Sequence, residues 1–184
     1  MRLIALLAAL AAPAFCSEYS LQLTPENTRI EWTLPDVLHN VHGTFELKRG
    51  SIRFDPDTGE AAGEVVVDAA SGESGGGARD ARMHHSVLES LKYPEAVFTP
   101  DRMEGKLEMP GTSALKLHGM FKIHGINHEV TMDVQAKVAQ GRIIADITFD
   151  VPYVAWGMRN PSTLILRVGK SVQMAIHADS ALEP

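Results

Sequence analysis

Eight histidines are the residues best able to do chemistry in this chain: His39, His42, His84, His85, His118, His124, His128 and His177. Imidazole rings hold zinc and related metals when several converge on one point at bonding distance. Their spacing argues against convergence. His39 and His42 stand on one predicted strand and, by their spacing, point to opposite faces of it. His84 and His85 are neighbours on a predicted helix and diverge. His118 and His124 share a strand face, but six residues of extended chain separate them by roughly 20 Å. His42, His118 and His128 can meet only if their strands are neighbours. The reading is therefore of scattered polar and strand-end histidines, with no metal ligands and no cofactor. A metal-assisted hydrolase using clustered histidines remains the enzymatic alternative.

Other catalytic patterns are missing. The only cysteine is Cys16, which removes redox pairs and thiolate–zinc sites from consideration. No G-x-S-x-G nucleophile turn is present. Gly75-Gly76-Gly77 precedes a helix but lacks the Lys-Ser/Thr of a phosphate loop. No catalytic residues are assigned, and the chain is read as not an enzyme. Arg79 and Asp80 have two readings, a contact to a ligand head group or a helix-start cap and ion pair. Trp156, with Tyr153 and Met158, lies between Pro152 and Pro161. This cluster either gates a barrel mouth, dips into a membrane, or plugs one end.

The ends and the charge narrow the setting. Residues 1–16 read MRLIALLAALAAPAFC: one cation, a short apolar run, then small residues before Ser17. That is a secretory signal layout, and the run is too short for a span of about 20 residues. The expected division is a signal peptide at 1–16 and one domain at 17–184. A lipid anchor at Cys16 is the rival, disfavoured by bulky Phe15. Without Arg2 the chain keeps 16 Lys+Arg against 23 Asp+Glu. So acidic a protein without a basic run is a poor partner for nucleic acid and for anionic lipid surfaces.

The elements that must position these residues are mostly strands. Period-two alternation dominates. It marks strands at 28–34, 41–47, 51–54, 60–69, 96–100, 102–109, 114–124, 128–138, 142–150, 162–168 and 171–178. The clearest places His128, Val130, Met132, Val134, Ala136 and Val138 on one face. One helix of about three turns is expected over 79–91, from Met83, Val87 and Leu91 at helical spacing. Short turns such as Gly125-Ile126-Asn127 join antiparallel neighbours. The fold class is mainly all-β: either a sandwich or a closed barrel.

The motifs decide between these. LHNVHGTF followed by GSIRFDP over 38–56, Arg79-Asp80 with Met83, LKYP at 91–94, then Phe98, and HGMFKIHGINHEV at 118–130 follow one another in order. In this the chain resembles the YceI-like family of exported lipid-binding barrels over nearly all of 17–184. It departs from the usual pattern at Glu26-Asn27-Thr28, at Asn127-His128 and over 151–160. The resemblance implies an antiparallel lipocalin-like β-barrel of about eight strands with one short helix at one end. It also implies a periplasmic location and binding of a polyisoprenoid or isoprenoid quinone inside the barrel.

The barrel-lining candidates are Trp32, Phe45, Val65, Val67, Phe98, Phe121, Val130, Met132, Val134, Ile147 and Phe149, with Arg79, Asp80 and Trp156 as head-group or mouth contacts. Aromatics make up only 6% of the chain, so the apolar stripes rely on smaller and more flexible side chains that leave room for a tail. The same stripes fit a filled core, which would make the chain a structural or stress-response barrel. The expected partner is an apolar isoprenoid-like lipid, with no nucleic acid and no membrane span after signal removal; a homodimer is left open.

Overall fold

Alternation along the strands dictates one apolar face each, and eight such strands can bury all those faces by closing on themselves. The computed structural model describes residues 18–35, 40–162 and 167–184. Its strands are β1 (Tyr19–Leu23), β2 (Thr28–Leu34), β3 (Val41–Phe54), β4 (Ala61–Glu73), β5 (Glu95–Glu104), β6 (Gly111–Ile123), β7 (Ile126–Ala139), β8 (Arg142–Val151) and β9 (Val172–Ala181). Strands β2 to β9 pair in chain order, every pair antiparallel, and β9 closes the ring on β2. This is the up-and-down antiparallel barrel expected. Strand β1 pairs with the far half of β3 while β2 pairs with its near half. The two together make one barrel stave, broken at residues 24–27.

Bulges keep the long strands facing inward. In β3 the register shifts between Leu47 and Arg49. Before the shift Val41, Phe45 and Leu47 share a face, and after it Gly50, Ile52 and Phe54 do. One extra residue inverts the pleat, so an odd-numbered series hands over to an even-numbered one. In β5 the shift falls between Pro100 and Arg102, so the two strands expected at 96–100 and 102–109 are one strand ending at Glu104.

The helix corrects the sequence reading. It is not three regular turns over 79–91 but α1 (Gly77–Arg82) followed by a π-helical turn over Met83–Val87. The Leu88 amide donates to the Met83 carbonyl at 2.8 Å, an i→i+5 bond. That wider turn advances the apolar stripe: Leu88 is buried, and Leu91, assigned to the stripe by spacing, is 92% exposed. The strand expected at 162–168 falls largely on residues 163–166, outside the described residues; Ser162 and Arg167 are not in a strand. The signal peptide and His39 also lie outside them. No helix among the described residues is long and apolar enough to cross a membrane.

Candidate functional site

The barrel interior divides into two parts along its axis. At the end carrying the β3–β4, β5–β6 and β7–β8 turns, Phe54, Leu107, Leu115, Val134, Ala136 and Ile143 form a packed core. Tyr19, Leu21 and Leu182 pack against it. The other part encloses a cavity of about 510 Å³, within the range of ligand sites, roughly 300–1,000 Å³. Leu117 and Ile147 touch both parts, and Ile52 both packs on the core and lines the cavity. The floor of the cavity therefore lies at their level.

Strands β2 to β9 each supply its wall. Trp32, Phe45, Val65, Val67, Phe98, Phe121, Met132, Ile147 and Phe149 all line the cavity. Val130 and Val134 do not. Val130 is packed among the buried residues around Phe98 and Met132, and Val134 belongs to the floor. Both lie on the inward face of β7, as the alternation indicated, but inward is not the same as beside empty space.

Local sequence explains the widest aromatic on this wall. Trp32 pairs across the ladder with Gly43, and a Cβ built on Gly43 would lie 2.3 Å from the indole ring and 2.1 Å from the Glu73 carbonyl. Only glycine lets the ring lie down on β3 there. The ring centroid of Phe45 sits 6.5 Å away. The indole Nε1 is buried and has no hydrogen-bond partner among the described residues.

The open end is roofed by two segments. Met83, Val87 and Leu88 of the helical segment line the cavity from one side, and Tyr153 and Met158 from the other. Tyr153 is held by its hydroxyl, which donates to the Gly169 carbonyl at 2.7 Å. Burial pushes its pKa up to about 12. Trp156 does not line the cavity; it packs behind Phe121 and against His128. The aromatic cluster thus closes the barrel end.

Arg79 and Arg82 are the charged side chains of the lining. Arg82 Nη1 donates to the Pro161 carbonyl at 3.2 Å, a strap between the two roofing segments. Arg79 donates to the Ser74 hydroxyl and carbonyl at 2.6 and 3.0 Å. Asp80 accepts from the Ser74 amide at 3.0 Å and from its hydroxyl. Asp80 does not reach the cavity: Ser74 joins it to Arg79, and together they fix the loop leading into α1.

The histidines are dispersed, and those that are hydrogen-bonded have separate partners. His118 donates from Nδ1 to Asp101 at 2.6 Å and from Nε2 to Glu129 at 3.0 Å. The Asp101 hydrogen bond leads in raising its pKa. His84 bonds Gly72 and Ser90, His124 bonds Glu89, and His177 bonds Asp146. His128 lies on the inward face of β7 and His118 on the outer face of β6. Among the described residues no three metal-ligating side chains form a cluster.

The sequence reading missed Leu117, Met174, Ile176, Ala178 and Arg82 as lining residues. The β6 and β9 residues were marked by the same alternation. Arg82 follows Arg79 by three residues, one helical turn, and that spacing was the available signal.

Among solved structures, the barrel is similar to BcnA of Burkholderia cenocepacia, with a TM-score of 0.68 and 16% identity over 83% of this chain and 95% of that one. It is also similar to a polyisoprenoid-binding domain from Saccharophagus degradans, described as implicated in plant cell wall breakdown (TM-score 0.64, 17% identity, 90% and 98% covered). A third is the YceI protein of Campylobacter jejuni (TM-score 0.64, 22% identity, 79% and 86% covered). At these identities the likeness is one of fold. No curated protein matches the sequence. The sequence model of the YceI-like domain matches residues 21–180, and the chain belongs to that family.

Proposed function

We propose that the chain is a binding or carrier protein, not an enzyme, for an apolar isoprenoid-type lipid held in the barrel. The observation that carries this is the cavity of about 510 Å³, walled by apolar side chains and floored by a packed core. Burying a hydrocarbon tail there gains roughly 0.8 kcal/mol per methylene, and no arrangement of nucleophile and base faces it. Family membership and the polyisoprenoid-binding description of one relative support a polyisoprenoid or isoprenoid quinone as cargo. Trp32, Phe45, Val65, Val67, Phe98, Phe121, Met132, Ile147 and Phe149 would contact the tail, and Arg79 the head group. The leader-like residues 1–16 support release into the periplasm, with a lipid anchor at Cys16 as the weaker alternative.

Native mass spectrometry of the protein from its own host, with solvent extraction of any adduct, tests this reading. A discrete adduct that extracts as an isoprenoid is the expected result. A bare polypeptide, even after incubation with quinones and polyprenyl phosphates, would overturn it.

A further inference from the structure

Among the described residues the polar side chains that line the cavity are Thr28, Trp32, Arg79, Arg82 and Tyr153. Two of them are engaged within the protein. The Thr28 hydroxyl donates to Asn27 Oδ1 at 2.9 Å, and the Tyr153 hydroxyl to the Gly169 carbonyl at 2.7 Å. The Trp32 indole N–H is buried without a partner. The charge of the lining is all of one sign. Glu73, Asp80, Glu95 and Asp150 stand at the same end of the barrel, yet none of them lines the cavity.

Arg79 and Arg82 are three residues apart in α1, so their side chains leave the same face of the helix. Each guanidinium carries five N–H groups in a planar fork. Arg82 places one of them on the Pro161 carbonyl at 3.2 Å. Arg79 places Nε and Nη2 on the hydroxyl and carbonyl of Ser74. All three acceptors are neutral. The strand arginines are the contrast: Arg29, Arg49, Arg53, Arg102 and Arg142 each meet a carboxylate at 2.6–3.2 Å. Arg82 therefore brings a full charge to the cavity wall with a single carbonyl as its partner among the described residues, and most of its fork is unspent.

A lipid tail fills the apolar wall, and the end of the molecule left beside α1 is its head. A guanidinium fork pairs with the two oxygens of a carboxylate or phosphate through parallel charge-assisted bonds. A quinone offers it only separate neutral carbonyls, and an alcohol one hydroxyl. We infer that the cavity selects lipids with an anionic head, a phosphate or a carboxylate, and that Arg82 is the side chain that recognises it, with Arg79 beside it. The inference rests on the cavity reading and narrows it, favouring prenyl phosphates over quinones among isoprenoid cargoes.

Displacement of an apolar fluorescent probe tests this. The competitors are farnesyl phosphate, farnesoate, farnesol and farnesylamine, which share one tail, and a short-chain ubiquinone. The better of the two anions should bind about 10- to 100-fold more tightly than farnesol, the range of a hydrogen bond to a charged group. It should also bind more tightly than the amine and the quinone, and which anion leads separates phosphate from carboxylate as the natural head. Arg82→Gln should bring the anion-to-alcohol ratio close to one. Arg82→Lys, which keeps the charge without the fork, should restore only part of it. The ratio is the readout because every Arg82 variant also loses the strap to Pro161. An arginine that served only the roof would weaken all ligands alike and leave the ratio where it was, and that result would overturn the inference. Equal binding of the four farnesyl compounds by the parent, or preference for the amine or the quinone, would overturn it too. A parent that takes up neither probe nor competitor would strike the cavity reading itself, a different outcome from binding without preference.

Discussion

The indole of Trp156 lies flat on the imidazole of His128, the ring centroids 4.1 Å apart and the planes 7° from parallel. This stack seats the 152–158 loop on β7, over the cavity that Tyr153 and Met158 roof. His128 Nε2 is buried without a partner among the described residues, and desolvation holds the ring's pKa below the ordinary histidine value. The loop is thus seated on a ring whose charged form burial disfavours.

Because folding lowers the pKa of His128, its contribution is fully present above about pH 6.5, the unfolded value. It is lost as pH falls through the folded value, where the unfolded chain takes up the proton more readily. Stability of the parent should decline on acidification below pH 6.5 by an amount that His128→Gln removes. Urea titrations at several pH values check this. Trp156→Ala should cost about 0.5–1.5 kcal/mol, the worth of an aromatic pair.

His118 should act with the opposite sign. Both its ring nitrogens face carboxylates, so the fold favours the imidazolium and raises the pKa, Asp101 contributing most. That stabilisation is complete below about pH 6.5 and disappears as pH rises through the raised folded value. Its size is small, since Asp101 and Glu129 are more than half exposed and water screens them. His118→Gln should lower stability below about pH 6.5, remove the decline seen as pH rises above it, and match the parent at high pH.

Much of this was legible in the sequence and some was not. Alternation placed nine of the eleven lining candidates beside the cavity, because each strand has one apolar face. It could not separate Val134 from Met132: they share that face, and only strand register and barrel depth assign one to the floor and the other to the wall. The His118 clamp was hidden for a related reason. Asp101 comes within reach through the bulge in β5 and Glu129 through the register of β7, and neither is written locally. Leu91 was misplaced because a single i→i+5 bond leaves no mark in the hydrophobic spacing.

The two parts of the interior should respond differently to changes in side-chain volume. Leu115→Ala, in the packed floor, should cost about 2–5 kcal/mol while probe uptake persists in the folded fraction. Ala178→Leu, on the cavity wall, should leave stability unchanged or raise it by about 0.5–2 kcal/mol and block uptake. Destabilisation by Ala178→Leu with no loss of uptake would contradict the division. Thermal melts and probe titration on the same samples decide.

Gly43→Ala should be disproportionately harmful for so small a change. The new methyl would meet both the Trp32 ring and the Glu73 carbonyl, and overpacking of this kind costs about 1–3 kcal/mol. In a protein of this size that is about 2–4 °C of melting temperature per kcal/mol. The tryptophan fluorescence of Trp32 should shift with it.

The floor at Leu117, Ile147 and Ile52 makes the barrel a blind sleeve. A chain molecule threads such a sleeve from one end only, leading with its tail and leaving its head at the rim. Each further methylene tightens the hold by roughly 0.8 kcal/mol until the tip touches bottom, and any longer tail must fold back or trail outside. The sleeve therefore works as a ruler. If the proposed lipid binds, affinity should climb with tail length and then level off at the length that spans rim to floor, as set by the depth of packing at the far end.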